Sequence, residues 1–335
     1  MVSKSLSEAI LTAGVQSKIA ETGADFLGRP KKDRVFLGPL TRKVRTLTHM
    51  KSSVTLGLVQ MTCGENPEAN LLKAKQRIKE AASLGAQIVC LSELFSSVYF
   101  CQTENPKYFA LAEPVPGPTT QTLCELAKEL KIVIIGSVYE VMQDKKYFNT
   151  AVVCDADGTF LGKYRKMHIP NDLKNHYGEA YYFAPGDLGT PVFQTRYASI
   201  GVLICWDQWY PEVARKLALD GAQIIFYPTA IGFPAADSRA LGETEWEAWQ
   251  TIQRSHAIAN NVFVAACNRV GKENFLDFWG TSFVAGPLGQ VLQKASRHKE
   301  EIVIAVCDLA SIEPIRADWP FLKCRRGGGT LNSCE

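Results

Sequence analysis

From residue 54 onward the chain alternates short, almost wholly apolar runs with longer segments in which apolar residues recur every three or four positions. That pattern predicts buried strands separated by amphipathic helices. Residues 54–61 read as a strand, after which Asn66 and Pro67 supply an N-cap and a first-turn proline for a helix that Gly85 ends. Residues 87–91 are a second buried strand leading into Ser92 and Glu93. A helix over 119–130 and a strand over 132–138 follow, and Asp155-Ala156-Asp157-Gly158 reads as the turn of a hairpin. The order then returns, with strand 199–205, helix 211–219, strand 222–226, helix 244–260, strand 262–267 and a hairpin turning at Gly286-Pro287-Leu288-Gly289.

The two hairpins share one build. NTAVVCDADGTFLGKY at 149–164 and GTSFVAGPLGQV at 280–291 are each a strand, a glycine-bearing turn and a return strand. One architectural unit is used twice. Each is a sheet with helices on one face, and two such units bury their bare faces against each other. The expected fold is α/β, a four-layer α-β-β-α sandwich built from two similar halves within one domain. The expected boundaries are a basic N-terminal extension at 1–51, the domain at 52–322 and a tail at 323–335.

Composition adds limits. A chain of 335 residues with 46% hydrophobic and 10% aromatic content can bury a large core. The net charge is +3, but residues 1–51 hold ten Lys and Arg against four Asp and Glu, leaving 27 basic against 30 acidic groups elsewhere. The nearly neutral body argues against a nucleic-acid partner. Ten cysteines without a CxxC, and without zinc-like pairing to the five histidines, point to a reducing compartment with mostly buried free thiols. No HxxEH or HxH pattern is present, so no metal and no cofactor are expected. The apolar runs 132–138 and 222–230 are far shorter than a membrane span. Lys4, Glu8, Lys18 and Glu21 interrupt any secretory signal, so the expected location is cytoplasmic, with a basic organellar transit segment as the alternative reading of the leader.

Three residues stand out for chemistry. Cys205 closes the apolar run SIGVLIC just before a proline-started helix, the kind of strand-to-helix junction where open α/β sheets bind ligands and helix N–H groups favour a thiolate. Free cysteines are also commonly buried as small hydrophobes. Glu93 follows QIVCLS and precedes Leu94-Phe95, and desolvation at such a strand end raises a carboxyl toward general-base duty near neutral pH, although a helix-capping acid has the same appearance. Lys166 leaves the return strand of the first hairpin, where a lysine in a basic run is ordinarily solvated. The set says more than its members. Each lies just past a strand end, and parallel strands bring those ends to one edge. A thiol, an ammonium and a carboxylate together supply the nucleophile, the oxyanion partner and the proton carrier of acyl transfer.

At this point the chain resembles the nitrilase superfamily, and within it the N-carbamoylputrescine amidases, over about residues 54–322. The resemblance rests on Leu91-Ser92-Glu93-Leu94-Phe95, on Tyr164-Arg165-Lys166-Met167-His168-Ile169-Pro170, and on Ile204-Cys205-Trp206-Asp207-Gln208-Trp209-Tyr210-Pro211-Glu212. It implies Cys205 as nucleophile, Lys166 as cationic partner and Glu93 as general base. A supporting acid, matched by Glu179 in Gly178-Glu179-Ala180-Tyr181, positions the lysine. It further implies a homo-oligomer and hydrolysis of a small carbamoylated amine or amide to an amine, ammonia and carbon dioxide. Tyr99 and Trp206 are expected to wall the pocket, and Asp237 to receive a cationic far end of the substrate. Carbamoylated β-amino acids, simple amides and nitriles are rival substrates, and an assembly protein that has lost turnover is the reading from another class. Three stretches depart from the family pattern: residues 1–51, the loop NDLKNHYG at 171–178 beside the expected site, and the tail KCRRGGG from 323 onward.

Overall fold

The computed structural model describes residues 52–234 and 239–326. The first half runs β1 (Ser53–Gln60), α1 (Pro67–Ser83), β2 (Ile88–Leu91), α2 (Pro118–Leu130), β3 (Val133–Val141), β4 (Tyr147–Cys154) and β5 (Phe160–Arg165). Asn66 opens α1, its Oδ1 accepting from the Ala69 amide at 3.1 Å, and Gly85 turns the chain away at a φ of +92°. A short hairpin of β6 (Asn171–Asp172) and β7 (Tyr177–Gly178) follows. The second half runs β8 (Val192–Gln194), β9 (Ser199–Val202), α3 (Pro211–Leu219), β10 (Ile224–Thr229), β11 (Gly232–Pro234), α4 (Arg239–Asn260), β12 (Phe263–Asn268), β13 (Val270–Glu273), β14 (Leu276–Trp279), β15 (Phe283–Ala285), β16 (Val291–Lys294), β17 (Glu301–Asp308) and α5 (Ile312–Asp318).

Two six-stranded sheets carry the fold, in the orders β17-β1-β2-β3-β4-β5 and β8-β9-β10-β12-β15-β16. They are built alike. In each, three parallel strands are followed by an antiparallel pair on one side and edged by one antiparallel strand on the other. Alternation along the strands shows the layering. Leu56, Leu58, Ile88, Cys90, Val133 and Ile135 of the first sheet share one core with Ile200, Val202, Ile224, Phe226, Val264 and Ala266 of the second. Val59, Val89, Leu91 and Ile134, pointing the other way, pack with Ala74 and Ile78 of α1 and Leu123 of α2. Helix α4 packs on β12 and β15, with α3 against it. These strands are buried on both faces, which is why they read as continuous apolar runs rather than alternating ones.

Glycine lets the layers approach. A Cβ on Gly136 or Gly201 would meet a leucine methyl of α2 or α3 at 2.5 or 2.6 Å. No helix among the described residues is long and apolar enough to cross a membrane.

The cysteine expectation needs one correction. Six described cysteines are free and buried, but Cys124 on α2 and Cys154 at the end of β4 are bonded to each other. The pairing joins a helix to the strand beneath it, so no local spacing announces it. Alkylation of the denatured, unreduced protein is therefore expected to leave Cys124 and Cys154 unlabelled, with both reacting after dithiothreitol. Labelling of both without reductant would remove the cross-link.

Candidate active site

The ends of β2, β5 and β9 place three of the expected residues. Glu93 lies two residues past β2, Lys166 directly follows β5, and Cys205 stands three residues past β9. The chain reverses at β4 and again at β5, so β5 runs in the direction of β2 and β3 and delivers Lys166 to the same edge. Glu179 enters from the turn after β7. All four side chains are buried: Glu93, Lys166 and Glu179 have no exposed area and Cys205 only 2%.

Lys166 is the hub. Its Nζ lies 2.8 Å from Glu93 Oε1 and 2.7 Å from both oxygens of Glu179. Asn149 on β4 donates from Nδ2 to Glu93 Oε1 at 2.7 Å, and its Oδ1 accepts from Ser137 Oγ on β3 at 3.2 Å. Ser137 Oγ in turn accepts from the Leu94 amide at 3.0 Å, so β3 and β4 together fix the turn after β2 and the carboxylate it carries. Tyr99 donates its hydroxyl to Glu179 Oε1 at 2.7 Å. The second oxygen of Glu93, equally buried, makes no hydrogen bond to any described residue.

Burial and charge work against each other here. Burial disfavours a charged Lys166, but the two carboxylates outweigh it and hold the ammonium protonated well above its ordinary pKa. Burial raises the Glu179 carboxyl to about 7, with Lys166 and Tyr99 pulling the other way. Burial also pushes the Cys205 thiol well up; the charge of Glu93 adds to this and that of Lys166 opposes it. A thiol in this setting needs a base to take its proton.

Cys205 opens the 3-10 turn Cys205–Trp209 at a φ of +44°, a left-handed backbone that non-glycine residues seldom adopt. Asp207 holds that turn. Its Oδ2 accepts from the Ile204 amide (2.9 Å) and the Tyr164 hydroxyl (2.8 Å), while its Oδ1 accepts from the His168 amide (3.0 Å) and stands 2.7 Å from His168 Nδ1. One buried carboxylate thus ties the Cys205 turn to the segment carrying Lys166. Asp207→Ala strands several buried donors, and a loss of about 3 kcal/mol in urea-unfolding free energy is expected. Unchanged stability would show that the turn holds without it.

A cavity of about 200 Å³ opens onto Cys205. Trp206 lines it, together with Trp209, Ile231 and Trp279. Tyr99 is not among its lining residues and instead backs Glu179, so its expected role as a pocket wall is corrected to support of that acid. Asp237 lies outside the described residues. The acids that do line the cavity, Asp172 and Glu245, gave no sequence signal, because only the folded loop and α4 bring them there. Asn149 and Asp207 were also missed. The available hint was an asparagine within a buried strand, and a carboxylate two positions past the cysteine.

Known proteins share this arrangement's framework. The profile of the family described as carbon-nitrogen hydrolase matches residues 55–317. An N-carbamoylputrescine amidase of Solanum lycopersicum is 42% identical over 282 residues, spanning 82% of this chain and 92% of that protein. A citrullinase of Francisella tularensis is 38% identical over 284 residues, spanning 82% and 96%. The crystal structure of a carbon-nitrogen hydrolase from Helicobacter pylori superimposes with a TM-score of 0.79 at 40% identity, covering 83% of this chain and 97% of that one. A family match over most of the chain, with relatives above 30% identity and the same sandwich fold, makes this chain a member of the carbon-nitrogen hydrolase family of the nitrilase superfamily.

Proposed function

We propose that the chain hydrolyses a linear N-carbamoyl amine, N-carbamoylputrescine first among them, to the amine, ammonia and carbon dioxide. The observation that carries this reading is the charge of the cavity beside Cys205. Among the described residues that line it, the charged ones are the acids Asp172 and Glu245, set in an otherwise largely apolar wall. Such a wall suits a short methylene chain, and the acids suit an ammonium at its far end. A substrate ending in a carboxylate, as in a carbamoylated β-amino acid, would meet like charge there.

The chemistry follows from the hub. Glu93 takes the Cys205 proton on the oxygen that makes no other hydrogen bond, and the sulfur attacks the ureido carbonyl. Negative charge then develops on the carbonyl oxygen beside the Lys166 ammonium, which is fixed in place by two carboxylates and needs no reorganisation. Glu93 returns the proton to the departing nitrogen, leaving a thiocarbamate on Cys205. Water, deprotonated by the same carboxylate, cleaves the C–S bond and restores the thiol, and the carbamic acid so released breaks its own C–N bond in solution to give the second nitrogen product and carbon dioxide. The intact buried set weighs against an assembly protein that has lost turnover.

Ammonia release from a matched panel tests the reading: N-carbamoylputrescine, butylurea, which lacks the far amine, and N-carbamoyl-γ-aminobutyrate, which replaces it with a carboxylate. The amine-ended substrate is expected to lead by about tenfold or more in kcat/KM. Glu245→Gln is expected to raise its KM while sparing kcat, and Cys205→Ala to abolish turnover of all three. Preference for the carboxylate-ended compound would overturn the substrate class, and undiminished ammonia release by Cys205→Ala would overturn the nucleophile.

A further inference from the structure

Arg269 follows β12 in the second half of the chain and lines no part of the cavity. Its side chain is nonetheless wholly buried, beneath the turn that carries Glu93. Nη2 donates to the carbonyl oxygens of Glu93 (2.7 Å) and Leu94 (3.1 Å), and Nη1 to that of Ser97 (3.2 Å). Glu273, at the end of β13, receives Nη1 on both oxygens at 2.8 and 3.0 Å. Its Oε2 also accepts from the Tyr99 amide at 2.6 Å. The stretch 93–99 is therefore gripped at four points by one buried ion pair. Leu94, inside that stretch, sits at a φ of +48°, a conformation leucine keeps only where its surroundings impose it.

Both acids around Lys166 depend on this stretch, Glu93 directly and Glu179 through the Tyr99 hydroxyl. Cys205 comes from the other half of the molecule, as the clamp does. Taking two ions out of water is costly, and a tie needed only for folding is as well made by apolar packing. We propose that the Arg269–Glu273 pair is a positioning device for the reaction. It sets where the Glu93 carboxylate stands relative to the Cys205 sulfur and, through Tyr99, where Glu179 holds Lys166, without touching substrate.

The proposal rests on Glu93 as the base, so its test includes a readout that needs no substrate: the pH dependence of Cys205 alkylation by iodoacetamide. Arg269→Lys keeps the charge, but three N–H donors on one nitrogen replace the two guanidinium nitrogens that reach three carbonyls and both Glu273 oxygens. The double variant Arg269→Met/Glu273→Met removes both charges together and leaves no unpaired ion in the core, which keeps the test available should Arg269→Lys not fold. In both, kcat of the folded protein is expected to fall about a hundredfold with KM nearly unchanged. Cys205 alkylation near neutral pH is expected to slow as it does in Glu93→Gln. Wild-type kcat and a wild-type alkylation profile in either folded variant, beside a slowed Glu93→Gln, would overturn the clamp alone. A Glu93→Gln protein that alkylates like the wild type would overturn the base assignment and the clamp with it.

Discussion

An ammonium with no access to water, gripped between two carboxylates, is the interaction on which the site depends. Ions buried this way cost several kcal/mol each to desolvate, and only close geometry with further hydrogen bonds offsets that. Lys166 obtains both from Glu93 and Glu179 at 2.7 to 2.8 Å. Asn149 and Tyr99 then satisfy the carboxylate oxygens it shares. The remaining Glu93 oxygen makes no hydrogen bond to any described residue. In this dry setting each charge acts more strongly than it does in water, so a small displacement of any one of them changes the chemistry of the rest.

The duplicated architecture explains why such a cluster forms where it does. The first half supplies Glu93, Lys166 and Glu179, and the second supplies Cys205 and the acid Glu245 at the cavity. Packing of the two sheets through β1 and β12 is thus a condition for the site as well as for the core. Asp207 ties the Cys205 turn to the Lys166 segment across the same seam. Left-handed backbone at Cys205 and at Leu94 marks the turn that carries Cys205 and the turn that carries Glu93.

Much of this was legible in the sequence, for a physical reason. Strands buried on both faces announce themselves as apolar runs, so the core strands of both sheets and their covering helices could be placed to within a few residues. β17, an edge strand, was not placed, although its residues 302–307 form an apolar run. The three-stranded sheet β11-β14-β13 was missed as well, since its strands are only three or four residues long. That Glu93, Lys166 and Cys205 each stand just past a strand end was readable from the alternation along the chain. The partners that fix them were not: Asn149, Asp207 and Arg269 act through contacts between segments far apart in the chain. Asp172 and Glu245 are brought to the cavity by loop and helix placement alone, and the Cys124–Cys154 bond joins elements with no spacing rule.

Covalent attachment of substrate to one sulfur is the direct test. Wild-type protein acid-quenched during turnover of N-carbamoylputrescine, then digested and measured by mass spectrometry, is expected to carry an acyl group from the substrate on the peptide containing Cys205, and on no other cysteine. Ammonia release at full rate with Cys205 unmodified at every quench time, and with a Cys205→Ala protein equally active, would contradict a buried thiol served by Lys166 and Glu93.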